Sequence, residues 1–110
     1  MQLFEAFLDF HEANPIVYVL FKKFAREARL AGRKKYSAQA ILNRIRWYTN
    51  VETKSTDDYK INDHHSAYYA RLFVLDHPEY ADFFWLRDAR AHEQIKQWWE
   101  NNKAAEQAIA

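Results

Sequence analysis

Apolar residues recur along the chain at the three- and four-residue spacing of amphipathic α-helices. The clearest stretch begins at Asn14-Pro15, where Asn suits an N-cap and Pro suits the first helical turn. Its apolar stripe consists of Val17, Leu20, Phe21, Phe24, Ala28 and Ala31. Gly32 follows at the place of a left-handed C-cap residue. The pattern therefore predicts a helix over 15–31.

Two further helices flank this one in the first half of the chain. Residues 3–11 carry five apolar side chains and predict a short helix that packs back on the core. Ser37 is a good N-cap for a helix over 38–49. The buried side of that helix is expected to consist of Ala38, Ile41, Leu42, Ile45 and Tyr48.

The second half of the chain predicts three more helices. Asn62 or Asp63 can cap a helix over 64–76, which is apolar nearly all round and is therefore the expected central element. A proline opens the next predicted helix, over 78–90. The last stretch, 91–110, consists of good helix formers and should be helical, fraying toward its alanine-rich end.

Residues 50–62 interrupt the helical pattern. The β-branched residues Val51, Thr53 and Ile61 flank a polar stretch over 54–58. This arrangement is compatible with a small β-hairpin, like the wing of a winged-helix domain, and equally with an irregular loop.

Composition supports one folded domain. The 110 residues are 49% hydrophobic, which is enough to form a core, and no apolar run approaches the ~20 residues that span a bilayer. The absence of cysteine excludes disulfides, thiolate zinc sites and thiol catalysis, and is typical of a cytoplasmic protein. We predict a mainly α fold, a compact bundle of about five helices, with a single domain over 1–90 and a helical extension over 91–110.

Charge is distributed unevenly although the net charge is only +1. Residues 1–50 carry nine Lys and Arg against four Asp and Glu, whereas the remainder carries an excess of acidic residues. This asymmetry has two interpretations. Residues 1–50 can form a surface that binds nucleic acid, or they can form an ordinary solvated surface that attracts the acidic residues of 51–110.

The basic residues cluster on two helices and on the junction between them. Arg and Asn are the residue types that read guanine and adenine edges, and clustered Lys and Arg neutralise phosphates. We therefore predict a DNA- or RNA-binding surface. Alternatively, the cations of 22–29 form a solvated face and Arg44 pairs with a carboxylate of the acidic half. The candidate binding residues are Lys22, Arg26, Arg29, Arg33, Lys34, Lys35, Asn43, Arg44 and Arg46.

Five short sequences stand out along the chain: Phe-His-Glu-Ala-Asn-Pro at 10–15, Tyr-Ser-Ala at 36–38, Arg-Ile-Arg-Trp at 44–47, Lys-Ile-Asn at 60–62 and Ala-Tyr-Tyr-Ala-Arg-Leu-Phe at 67–73. Together they resemble a family of small, mostly uncharacterised phage and prophage proteins. The resemblance spans roughly residues 10–87. The resemblance implies a phage-associated, non-structural protein in a bacterial host. It identifies no catalytic or binding residue in this chain.

A protein-binding role is the alternative. Trp98 and Trp99 stand with Ile95 in an otherwise polar segment, and adjacent residues on a helix diverge by about 100°. Both rings are therefore not expected to bury against one small core. The exposed ring would face a second subunit or a host protein complex, such as a nuclease or defence complex that the protein inhibits.

Candidate chemistry is sparse. No two of the five histidines have the i, i+4 spacing of a zinc-binding helix. His64, His65 and His77 could at most converge near Asp63. We expect no cofactor, no metal, no catalytic residue and no membrane partner. The sequence thus predicts a binding protein in the bacterial cytoplasm, with DNA as the leading partner.

Overall fold

A computed structural model describes residues 3–53, 61–86 and 89–109. Within these ranges the protein consists of helices and turns, with no strand, which confirms the mainly α prediction. The five α-helices are α1 (Leu3–Ala13), α2 (Pro15–Leu30), α3 (Ala38–Trp47), α4 (His65–Asp76) and α5 (Ala89–Ile109). None of the helices in the described ranges is long and apolar enough to cross a membrane.

The end of α2 and the start of α3 follow the local sequence signals. Gly32 has a φ of 102°, and its N–H donates to the carbonyl of Arg29 at 3.0 Å. The N–H of Arg33 donates to the carbonyl of Ala28 at 3.1 Å, which completes a Schellman motif. The hydroxyl of Ser37 accepts the N–H of Ala40 at 3.2 Å. Both predicted caps are confirmed, and together they fix the basic junction at 32–37.

The start of α2 differs from prediction in one detail. Pro15 occupies the first turn, but the side chain of Asn14 makes no hydrogen bond to that turn. Its Nδ2 donates instead to the carbonyl of Phe10 at 3.1 Å. Only Asn14 separates the two helices, so its amide closes the end of α1 rather than capping α2.

Helix α4 is the central element, as predicted. It contacts all four other helices, and its Ala70 and Phe73 are only 1% and 0% exposed. Tyr69, also fully buried, packs edge-on against Phe7 and stacks on Phe21. The aromatic-rich composition of the chain is therefore largely used in packing α1 and α2 against α4.

Helix α5 belongs to this core. Ala91 and Ile95 are buried, at 1% and 0% exposure, and α5 packs along α4. Trp98 and Trp99 are half-buried and pack against the same cluster. The segment predicted as an extension thus completes the bundle.

The helix predicted over 78–90 is wrong. In 78–86, the part of this range that the structure describes before α5, only a 3₁₀ turn forms, at Pro78–Tyr80, and the chain then runs past Tyr36 without helical structure. The N–H of Tyr36 donates to the carbonyl of Phe83 at 2.8 Å, and Tyr36 pairs with Phe84 in an isolated parallel bridge. Backbone pairing with a distant segment and burial of both neighbouring phenylalanines override the local helix signal.

The hairpin considered for 50–62 is contradicted at its first flank. Helix α3 continues into a π-helical turn over Tyr48–Glu52, so Val51 lies in a helical turn rather than in a strand. The Thr49 hydroxyl donates to the carbonyl of Ile45 within this turn, at 3.0 Å. The rest of the proposed hairpin, residues 54–60, lies outside the described residues.

Candidate nucleic-acid interface

The cations at the C-terminal end of α3 are engaged in contacts within the fold. The Arg46 guanidinium donates to the carbonyl of Ile61 at 2.6 Å, to the carboxylate of Asp63 at 2.6 Å and to the amide oxygen of Asn43 at 2.7 Å. The hydrogen bond from Arg46 to Asp63, with one from Gln39 to the same carboxylate, holds the pKa of Asp63 below its usual value. Arg46 and Asn43 thus fasten the segment before α4 to α3.

Arg44 also has internal partners. It forms an ion pair with Glu52 at 3.2 Å, and its guanidinium lies over the ring of Phe24, 4.4 Å from the centroid. The alternative in which Arg44 pairs with a carboxylate of the acidic half is confirmed. Because Asn43, Arg44 and Arg46 of α3 have partners within the fold, these contacts count against their role in binding nucleic acid.

The cations of α2 lie on the surface and contact neighbouring side chains. Lys22 Nζ is 4.7 Å from the ring centroid of Tyr18, and Arg26 Nη2 is 3.5 Å from His77 Nε2. Arg29, near the end of the helix, donates to the carbonyl of Glu79 at 3.0 Å and lies over the ring of Tyr80. Of the three, Arg29 reaches the basic junction.

A cleft of about 460 Å³ separates the end of α2 from the 78–83 turn. It is lined by Arg29, Gly32, Arg33 and Lys34 from the α2 side and by residues of the turn, among them Glu79 and Asp82. We call the exposed cations Arg33, Lys34 and Lys35 the junction cations. None of them forms an ion pair with a residue in the described part of the chain.

Trp85 lies beside the junction cations. Its side chain is 55% exposed, and Lys35 Nζ is 6.0 Å from its ring centroid. The parallel bridge between Tyr36 and Phe84 brings the segments that carry these two residues together. Phe84 points into the core, at 2% exposure, so the next side chain in this extended stretch points outward.

Sequence reasoning missed Trp85 as a surface residue because it was assigned to a helix. The available signal is the run of three aromatic residues, Phe83-Phe84-Trp85, which cannot share one helical face. A second groove, of about 400 Å³, lies between the first turn of α3 and α4, and Trp85 is one of its lining residues.

The aromatic pair of α5 has partners within the fold. The indole N–H of Trp99 donates to Asp76 at 2.7 Å, and the hydroxyl of Tyr18 donates to the other oxygen of that carboxylate at 2.6 Å. Trp98 meets the ring of His11 edge-on at 6.1 Å. Both rings contact the core because α5 lies in a groove with α1 on one side and α4 on the other.

These contacts correct the expectation that one ring of the pair must face a partner. The third residue of the proposed protein interface, Ile95, is fully buried and cannot touch a partner in the folded protein. The predicted set of Trp98, Trp99 and Ile95 therefore has a structural role that accounts for its apolar character.

The titratable groups of the core show the effect of burial. Burial is the largest cause that lowers the pKa of His11 and of His65. Burial also raises the pKa of Tyr69, and burial together with the hydrogen bond to Asp76 raises that of Tyr18. His65 and Tyr69 lie within ring clusters, whereas His11 and Tyr18 line a cleft of about 160 Å³ together with Asp76.

The histidines do not assemble a metal site in the described ranges, where no group of three or more His, Asp or Glu side chains could hold a metal ion. His65 is buried against Phe10, whereas His64 is exposed. His77 lies near Arg26 and Glu79 instead.

Compared with known proteins, the chain matches no family model, no curated sequence and no solved structure.

Proposed function

We propose that the protein binds nucleic acid through the junction cations, in the cytoplasm of a bacterial host, as a phage-type accessory protein without catalytic activity. The observation that supports this proposal is the difference in partners among its basic residues. Arg44 and Arg46 have carboxylate partners within the fold. Arg33, Lys34 and Lys35 are exposed beside a cleft and form no ion pair with any residue described.

The local geometry favours phosphate as the ligand of these cations. Three consecutive positive side chains on a short junction can meet successive phosphates of one strand, and Arg29 extends the positive wall into the cleft. Glu79 and Asp82, in the 78–83 turn, carry negative charges that disfavour phosphate there. A phosphate backbone is therefore expected to follow the junction rather than the turn.

A second candidate function is protein binding, supported by a different surface. Trp47 is 57% exposed and Val51 is 48% exposed, four positions apart on consecutive turns of α3 and its π-helical continuation. Tryptophan is enriched among residues that dominate interface energies. This surface would replace the aromatic pair of α5 as the contact for a second copy or a host protein.

Fluorescence anisotropy with labelled mixed-sequence DNA and RNA tests the leading proposal. The triple variant Arg33→Glu, Lys34→Glu, Lys35→Glu should bind more weakly by roughly one to two orders of magnitude at low salt. The dependence of log Kd on log salt should also become shallower, by about 0.7–0.9 for each phosphate that the variant no longer neutralises. Circular dichroism should be unchanged, because the three side chains are exposed.

The matched control reverses three exposed cations elsewhere, as Lys23→Glu, Lys96→Glu and Lys103→Glu, and changes the net charge by the same amount. This control should keep most of the affinity if binding is local to the junction. Equal losses in both triple variants would mean that only net charge matters. Failure of the wild-type protein to bind DNA or RNA at low salt would exclude the proposal.

Sedimentation tests the second candidate through self-association. A dimer that dissociates in Trp47→Asp but not in Trp98→Phe would support the Trp47 surface. A monomer at all concentrations would exclude a homodimer.

A further inference from the structure

We propose that the nucleic acid is single-stranded, with one base stacked on Trp85 while the adjoining phosphates lie on Lys35 and Lys34. This inference rests on the proposed function and names its substrate class. It starts from the one large aromatic side chain that lies exposed beside the junction cations.

The exposure of Trp85 is built into the fold. The hydrogen bond between Tyr36 and Phe83 and the bridge between Tyr36 and Phe84 fix the backbone on both segments. Phe84 is anchored in the core, where its ring packs against Phe21 and Phe73. The indole is therefore held outward by a rigid support, which reduces the ordering cost of binding a flat partner.

The surroundings of the ring match a nucleotide. A base offers a flat π-surface, and its phosphate lies a short distance along the strand. Lys35 Nζ lies 6.0 Å from the indole centroid, so a positive charge stands next to the stacking surface. Aromatic side chains in a positively charged groove are the usual means by which proteins bind single strands without sequence preference.

A duplex cannot use this arrangement in the same way. The faces of its bases are covered by their neighbours in the stack, and only edges and phosphates are accessible. A duplex would therefore contact the junction cations but gain nothing from the indole face. The exposed ring thus distinguishes a single strand from a duplex.

The test compares labelled oligo-dT with a duplex of the same length, using Trp85→Ala, Trp85→Phe and the control Trp47→Ala. We expect Trp85→Ala to weaken oligo-dT binding by roughly 5- to 150-fold, the range for removing one base–aromatic stack, and to leave duplex binding unchanged. Trp85→Phe should recover part of the affinity. Trp47→Ala removes an equally exposed indole and should have no effect.

A second measurement does not depend on the stability of the alanine variant. Stacking of a base should quench the tryptophan fluorescence of the wild-type protein on addition of oligo-dT, and Trp85→Phe should lose most of that quenching. This readout keeps the inference testable if Trp85→Ala lowers stability.

The outcomes separate this inference from the proposed function. If charge reversal at the junction abolishes binding but Trp85→Ala has no effect, the protein binds nucleic acid without stacking and the inference is wrong. Tighter binding of the duplex than of oligo-dT would also overturn it. If the wild-type protein binds neither, the proposed function and the inference both fail.

Discussion

The two basic regions of this protein look alike in sequence and differ in space. The C-terminal end of α3 and the junction before it both combine cations with polar neighbours. At the end of α3, Arg44 and Arg46 lie within reach of Glu52 and Asp63 and hold segments of the fold together. At the junction no described carboxylate forms an ion pair with Lys34 or Lys35. Whether a cation has a carboxylate partner in the fold, rather than the sequence around it, distinguishes a structural role from a binding role.

The aromatic residues divide in the same way. Trp98 and Trp99 are half-buried and contact the core, whereas Trp85 projects from a rigid bridge. We call the residues with partners in the fold, such as Arg44, Arg46, Trp98 and Trp99, the inward-facing side, and the junction cations with Trp85 the outward-facing side. The comparison predicts that variants on the inward-facing side change stability and that variants on the outward-facing side change binding.

The largest expected effect is on the inward-facing side. Ile95→Ala should lower the free energy of unfolding by about 2–5 kcal/mol, because the side chain is fully buried between α5 and the core. Truncation after Arg90 should for the same reason unfold the domain. Urea denaturation followed by circular dichroism measures both. A truncated chain that unfolds cooperatively with wild-type stability would show that α5 is dispensable and would break the comparison.

Arg46→Ala should have the next largest effect, a loss of about 1–3 kcal/mol, because the carbonyl of Ile61 loses its charged donor. Arg46→Lys should recover little, since one ammonium cannot reproduce the fork that reaches Ile61, Asp63 and Asn43. Thermal melting gives the stability, and anisotropy under native conditions gives the affinity. If the Arg46→Ala protein is folded but binds oligonucleotide more weakly, Arg46 contacts the nucleic acid and its assignment to the inward-facing side is wrong.

Gly32→Ala should cost about 1 kcal/mol. No heavy atom beyond Gly32 and the residues adjacent to it lies within 4 Å of the added methyl group, so the cost comes from the φ of 102°. Gly32 sets the direction in which the junction leaves α2, so the same variant tests whether binding needs this geometry. A fall in Tm without any change in affinity would show that the junction cations act as a flexible cluster.

The smallest effect should come from pH, and it should be confined to stability. The pKa values of His11 and His65 are lowered in the folded protein, so the unfolded chain binds protons more readily below the ordinary value of 6.5. The contribution of these two histidines to the free energy of unfolding is fully present above that pH and is lost as the pH falls from about 7 to 5. Urea midpoints at both pH values measure it, and His65→Phe should reduce the difference. An identical midpoint at the two pH values would contradict the assignment of these histidines as neutral core groups.

Much of the fold could be predicted from the sequence because its signals are local. The stripe of α2 from Val17 to Ala28, the φ of Gly32 and the hydroxyl of Ser37 each act within a few residues and are found where expected. The last residue predicted for the stripe, Ala31, is exposed and lies beyond the end of α2. The helix predicted over 78–90 is wrong because its competitor is not local: Tyr36 pairs with a segment far along the chain.

The candidate site could be predicted in part for the same reason. The junction cations lie between the capping glycine of α2, Gly32, and the N-cap of α3, Ser37, and both caps are evident in the sequence. The internal use of Arg46 could not be foreseen, because it depends on Asp63 and on a backbone carbonyl brought close only by tertiary packing. Nor could the position of Trp85, because the helical pattern assigned it to the wrong element.

The hydrogen bond from the Tyr36 amide to the carbonyl of Phe83 also provides a spectroscopic probe. It links the junction directly to the segment that carries Trp85. Its amide proton should exchange with deuterium whenever these two segments separate, even while α4 remains folded. The exchange rate at this one position therefore reports how often the outward-facing side opens independently of the bundle. A bound oligonucleotide that bridges Lys35 and Trp85 should slow it selectively.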